Sequence, residues 1–373
     1  MKSNLISPRV FLFLLLAGLV SAGLTNSRAA QADGRYLYAA SPGIRDYLEY
    51  GGHGVLVYDI DHGHKLVKRI PSSGVDDNGK PLNVKGICAS AATGRIYVSN
   101  TKSLICFDLN TDKILWEKAF EGGFDRMAIT PDGKTILSPG FEKDFWFVIN
   151  ATTGELITKI PFNAGSHNTI IGPNGKEGYM AGLKSPLLAV ADLTTNQVAR
   201  TVGPFSNVIR PFTINGKQTL VYVNVNGLLG FEIGDLKTGK VLHRVEVPGV
   251  EVGPTKRHGC PSHGVALTID EKELWLADAH NSKMHIFDNT VMPPKYKESV
   301  SMRDQPGWIT FSIDGSLAYP STGEVVDIKT RKIVATLKDE KGNEVHSEKV
   351  VEVDFAGGKP VKSGDQFAIG GLR

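Results

Sequence analysis

Residues 103–120 read SLICFDLNTDKILWEKAF, two runs of alternating apolar residues joined by a polar segment that begins at Asp108. Alternation with a period of two marks a half-buried strand, and an Asp/Asn/Thr cluster between two such runs marks a hairpin turn. The turn phrase recurs: DLNTDK from Asp108, NATTGE from Asn150, DLTTNQ from Asp192, DLKTGK from Asp235, DNTVMP from Asp288, DIKTRK from Asp327, and a degenerate DIDHGH from Asp59. Seven copies spaced by about 40–50 residues have the period of propeller blades.

A second hairpin signal lies upstream of the phrase in several repeats, as in MAITPDGKTILS around Asp132 and Gly133, TIIGPNGKEGYMAG around Asn174 and Gly175, FTINGKQTLVYV around Gly216 and TFSIDGSLAYP around Gly315. Two hairpins per repeat give four strands, A to D from the channel outward. A four-stranded sheet buries both faces only between neighbouring sheets, and seven sheets set radially close without a long exposed edge. The expected fold is therefore all-β, a seven-bladed β-propeller of four-stranded antiparallel blades. Residues 35–70 supply only three strands (RYLYAAS, GVLVYDI, KLVKRI), whereas KVVEVDFAGG near the C-terminus is one strand too many. That surplus strand is expected to complete the first blade and close the ring.

GRIYVSN at 94–100 resembles the Tyr-Val-Thr-Asn phrase of the YVTN-repeat β-propeller family, with Ser99 in place of the usual threonine, and RMAITPDGKTIL fits that family's strand and turn. The resemblance extends over the chain as a repeat pattern and implies the propeller fold. It leaves function open, because one fold hosts many functions. Quinoprotein dehydrogenases share the architecture, but the four tryptophans form no regular docking motif.

The first 32 residues read as a secretory signal peptide: Lys2 and Arg9 precede the apolar run VFLFLLLAGLV, and small residues follow, with cleavage points at Ala22, Ala29 or Ala32. Residues 33–373 then form a single propeller domain in the periplasm or outside the cell. Loss of Lys2, Arg9 and Arg28 takes the net charge from +3 to zero, which argues against nucleic acid as a partner. No later stretch is long and apolar enough to span a bilayer. Three cysteines, Cys88, Cys106 and Cys260, are an odd number for an oxidising compartment, so at least one free thiol is expected unless chains are cross-linked. Cys88 and Cys106 fall on strands A and C of one blade, too far apart to bond.

In a propeller, strand A lines the channel, and the D-to-A connections share one face with the B–C loops. Aligning repeats on their A–B turns sets SHNTIIGPNGKEGYMAG over SHGVALTIDEKELWLAD without a gap. His167 and His263 thus hold the same place at the start of strand A, and Asp125 holds it in another blade. Lys85, Arg126, Arg210 and Trp308 fall within a residue or two of that layer. Of ten histidines, His167, His263, His258, His346, His53 and His280 map to this face, while His62 and His64 map to the opposite one. His243 and His285 lie on outer strands, where a solvent-facing or half-buried role suffices.

The octet RHGCPSHG at 257–264 becomes a D-to-A connection that delivers His263 to the channel. Asp125, His167 and His263 are the expected metal-capable groups, suited to zinc, copper or iron. Arg210, Lys85, Arg126, Trp308, His258 and His280 are the expected ligand contacts. Cys260 is open to reading as a metal ligand, a nucleophile or a small buried side chain. GIRDYLEYGGHG at 43–54 forms a long B–C loop placed to roof the mouth. The expected function is binding of a small molecule or divalent metal at the channel mouth. Two rivals use the same residues: a lyase or hydrolase resembling the lactonase and streptogramin-lyase propellers, and a protein-interaction scaffold in which the mouth is only plugged.

Overall fold

A computed structural model describes residues 32–255 and 257–371, so the expected signal peptide lies, apart from Ala32, outside the described residues. Seven antiparallel sheets form the ring, six of four strands and one of five. The seven repeated phrases all fall in C–D hairpins. In each, the first side chain accepts backbone N–H bonds from residues two or three positions on: Asp108 from Asn110 and Thr111, Asn150 from Thr152 and Thr153, Asp192 from Thr194 and Thr195, Asp235 from Lys237 and Thr238. Asp288, Asp327 and even the degenerate Asp59 do the same toward Thr290, Thr330 and His62. An Asx side chain that satisfies the turn's own N–H groups explains why this phrase, and not the strands, is the part that repeats. Every C–D pairing also carries a register shift, a bulge that increases twist toward the rim.

Strand A is Val350–Ala356 in blade 1, Val84–Ser90 in blade 2, Ala128–Ile129 in blade 3, Ser166–Ile171 in blade 4, Ile209–Ile214 in blade 5, Ser262–Leu267 in blade 6 and Ile309–Phe311 in blade 7. Blade 3 has the shortest because Arg126 forms a parallel bridge with Asn168 of blade 4 instead of pairing within its own sheet. Seven clusters of buried apolar side chains sit one at each junction between blades. The junction of blades 7 and 1 joins Tyr319, Val325 and Leu337 to Leu37, Leu56 and Tyr58, so the ring is closed.

Closure follows the expectation and adds to it. Strand Val350–Ala356 pairs with Gly34–Ser41 from Gly34↔Phe355 to Ala39↔Val350. A further strand, Lys359–Ser363, folds back on its inner edge and makes blade 1 five-stranded. The chain then crosses the channel on the A–B side. Phe367, Ala368 and Ile369 are buried there, and backbone bonds run from Leu267 N–H to Ala368 O, Gly370 N–H to Ile214 O and Gly371 N–H to Ile269 O. Gln366 donates to Met127 O at 2.8 Å, and its carbonyl accepts Trp308 Nε1–H at 2.5 Å. The tail leans on blades 5 to 7 and leaves a cavity of about 230 Å³ against Ile87, Met127, Ile129 and Ile171.

His64, in the C–D turn of blade 1, is buried with Nε2 3.2 Å from the Tyr319 hydroxyl. Burial lowers its pKa from 6.5 to about 4. A lowered imidazole pKa means the unfolded chain takes up the proton first, so stability is full above about 6.5 and is lost as pH falls toward 4. The loss is on the order of 3 kcal/mol. Since His64 has φ 59°, asparagine is the replacement that best tolerates its backbone. Denaturant titrations of wild type and His64→Asn at pH 7 and pH 4 are expected to show the smaller acid loss in the variant.

Candidate functional site at the channel mouth

Two inner strands open on Ser166-His167 and Ser262-His263, and the same Ser-X pattern, Ser347-Glu348, stands three residues before strand Val350–Ala356. The serines are buried and donate to carbonyls that fix the strand starts: Ser166 to Gly140 O, Ser262 to Leu228 O and Gly230 O, Ser347 to Ala40 O. The next side chain is thereby aimed at the mouth. Blade 2 contributes Lys85, blade 3 Asp125 and Arg126, and blade 5 Arg210.

These residues divide into two groups. In the first, Asp125 Oδ2 lies 2.6 Å from His167 Nδ1 and its Oδ1 3.6 Å from Lys85 Nζ, while the Arg126 N–H also donates to Oδ1. Burial raises the Asp125 carboxyl, but His167, Lys85 and Arg126 outweigh it and hold the pKa below the usual range. Burial likewise lowers the His167 pKa against the pull of Asp125.

The second group centres on Glu348. Its Oε1 lies 2.9 Å from His258 Nδ1, and its Oε2 takes Arg126 Nη2 at 2.7 Å and Lys349 Nζ at 2.8 Å. Burial raises this carboxyl, but Lys349, His258 and Arg126 dominate and keep it ionised, well below its ordinary value. Burial brings Lys349 down to about 7 despite Glu348. His263 Nδ1 sits 2.8 Å from Gly307 O, and the His258 and His263 rings stack at 5.3 Å. Burial lowers the His263 pKa to about 3, so this imidazole is neutral. The Arg126 guanidinium lies 3.5 Å over the Trp308 ring.

The grouping differs from the one expected. Asp125 and His167 are together, but His263 stands with His258 and Glu348, whose ligand atoms all lie within 4.8 Å of one another. Arg210 is tied to Asn226 Oδ1 and to Gly259 O, and so anchors the 257–264 loop. Trp308 is buried as the floor beneath Arg126. His280 is exposed on its B–C loop beside Gly253, apart from both groups. His285 is fully buried between Asp278 and Ser299, at 3.0 and 2.7 Å; on a strand covered by its neighbours an imidazole is kept only when both nitrogens are bonded.

The sequence points to neither Glu348 nor Lys349, because KVVEVDFAGG at 349–358 reads as a closing strand and Glu348 stands just before it. The Ser-X opening shared with His167 and His263 was the available signal. The loop at 43–54 does cover the mouth: Tyr50 stacks on His346 at 4.3 Å, its hydroxyl accepts from Arg257, and Arg257 pairs with Asp304 at 2.7 Å.

Cys260 donates to Ser262 O and is buried, and burial pushes its thiol up to about 12, which suits neither a nucleophile nor a soft ligand. Cys88 and Cys106 each lie opposite Tyr97, on either side of it, and all three thiols are free and buried. Titration with an aromatic disulfide is expected to find almost no fast-reacting thiol in the native protein and three after denaturation.

No family model matches the chain, and no curated protein matches it by sequence. Among solved structures it is similar to the Myceliophteria thermophila Cps50 (Swd1) beta-propeller domain, with a TM-score of 0.59 and 11% identity over 74% of this chain and 88% of that one. Kuenenia stuttgartiensis Hydrazine Synthase aligns at a TM-score of 0.47 and 16% identity over 70% of this chain and 98% of that one. The fold places the chain among the seven-bladed β-propellers. No helix among the described residues is long and apolar enough to cross a membrane.

Proposed function

We propose that the chain is an extracytoplasmic YVTN-type propeller that binds a small polar ligand or a divalent metal at the mouth of its channel. One observation carries this reading: blades 1 to 6 each send a charged or metal-capable side chain to one mouth, above a channel crossed at its other end by the C-terminal tail. These groups are paired with one another, but buried ion pairs are often no more stabilising than apolar residues of similar volume, so a plug alone needs none of them. Calorimetric titration of the exported protein with small mono- and dicarboxylates and with divalent metals tests the reading. Saturable carboxylate binding weakened by Lys85→Gln, or saturable metal binding, supports it, whereas no binding across both panels leaves the interaction scaffold.

A second reading is favoured by the Asp125–His167 pair. A carboxylate on Nδ1 fixes the imidazole so that Nε2 can accept a proton, which is what a lyase or hydrolase needs. Turnover of a lactone or ester panel, abolished in His167→Ala, separates catalysis from binding alone.

A further inference from the structure

We propose that His258, His263 and Glu348 form a mononuclear site for a first-row divalent transition metal of the zinc class. The proposal rests on the mouth being a binding site and names its ligand set, which differs from the Asp125, His167 and His263 set expected from sequence. Two imidazoles and one carboxylate are a donor set that zinc takes in open sites. Their ligand atoms lie within 4.8 Å of one another.

The supporting contacts sort the atoms of each side chain. His263 gives Nδ1 to Gly307 O at 2.8 Å, which leaves Nε2 to ligate. His258 has Nε2 3.3 Å from Gln305 O, which leaves Nδ1. Glu348 has Oε2 held by both Arg126 and Lys349, which leaves Oε1 as a one-oxygen ligand. Each side chain thus has one polar atom held by an outer partner and one turned toward the others, the arrangement by which metal sites orient their ligands.

Metal uptake needs the widest pair of ligand atoms, up to 4.8 Å apart, to close by as much as about 1.4 Å and the tightest pair to open. With zinc bonds of about 2.0–2.1 Å and tetrahedral angles, an oxygen and a nitrogen on one ion sit roughly 3.4 Å apart. Glu348 Oε1 and His258 Nδ1 are 2.9 Å apart, so opening by about 0.5 Å admits the ion in place of the shared proton. Gly307 provides the room: a Cβ there would lie 2.0 Å from the His258 ring. Arg126 and Lys349 repel the cation and so moderate its affinity. Three protein ligands leave a fourth position for water or an exogenous ligand.

The experiment uses the exported full-length mature chain, stripped with EDTA and titrated with zinc chloride, with elemental analysis of the product and a visible spectrum of the cobalt(II) form. One metal ion per chain and tetrahedral-type cobalt bands are expected. His263→Ala and Glu348→Gln should lose the ion, and Gly307→Ala should bind about 10–100-fold more weakly by displacing His258. His62→Ala, on the opposite face, should bind as wild type. The cobalt spectrum of the wild-type protein needs no variant, so a misfolded Glu348→Gln does not stall the test. No uptake of zinc or cobalt, or uptake that survives His263→Ala, overturns the site. If zinc fails while a small carboxylate still binds through Lys85, the metal proposal falls and the mouth reading stands; if neither binds, both fall.

Discussion

Removal of residues 345–373 is expected to abolish the soluble monomer. The deletion takes away strand A of blade 1, its back-folded partner and the tail across the channel. Val350, Val351, Val353, Phe355, Phe367 and Ile369 are all buried, and at about 1.5–3 kcal/mol each their loss exceeds about 9 kcal/mol. That is comparable to the whole stability of a typical domain, about 5–15 kcal/mol. The remaining chain would also expose the edge of Gly34–Ser41, an invitation to intermolecular pairing. Deletion of only 364–373 keeps the pairing of Val350–Ala356 with Gly34–Ser41, and should give a folded monomer destabilised by roughly 3–6 kcal/mol from the lost burial of Phe367 and Ile369. Size-exclusion chromatography and thermal melts of the two truncations decide the matter. A monomeric 345–373 deletion with an unchanged melting temperature would refute the closure.

Trp308→Ala is expected to cost about 3–5 kcal/mol, the usual range for emptying a buried tryptophan site. The structural reason is that Trp308 belongs to two assemblies. Its face carries Arg126, which holds Glu348, and its Nε1–H holds Gln366 O while its ring meets Phe367 edge-on at 5.8 Å. The alanine variant should therefore loosen the mouth and the tail together. Trp308→Phe keeps most of the packing but loses the Nε1–H bond, and should cost less. Urea unfolding curves give both values, and limited proteolysis of the C-terminus reports the tail. A Trp308→Ala protein within 1 kcal/mol of wild type, with its tail still protected, would show that the two assemblies are independent.

The blade count, the hairpin positions and the ring closure are all legible in the sequence. These rest on local chemistry: an Asx residue that bonds its own turn and strands that alternate every second residue keep their signature wherever they occur in the chain. The placement of His167 and His263 at equivalent strand starts was legible for the same reason. Which side chains meet across the channel depends on how the ring brings the blades together. His258 and Glu348 are far apart in sequence and touch at 2.9 Å, because the connection from blade 5 to blade 6 and the last inner strand converge on one mouth. Residues two blades apart with matching positions need not share a partner, since the ring turns them to different neighbours: His167 faces Asp125 of the adjoining blade, and His263 faces Gly307. The tail across the channel was equally hidden, because its partners come from blades 2, 3, 5, 6 and 7 and no local pattern records them.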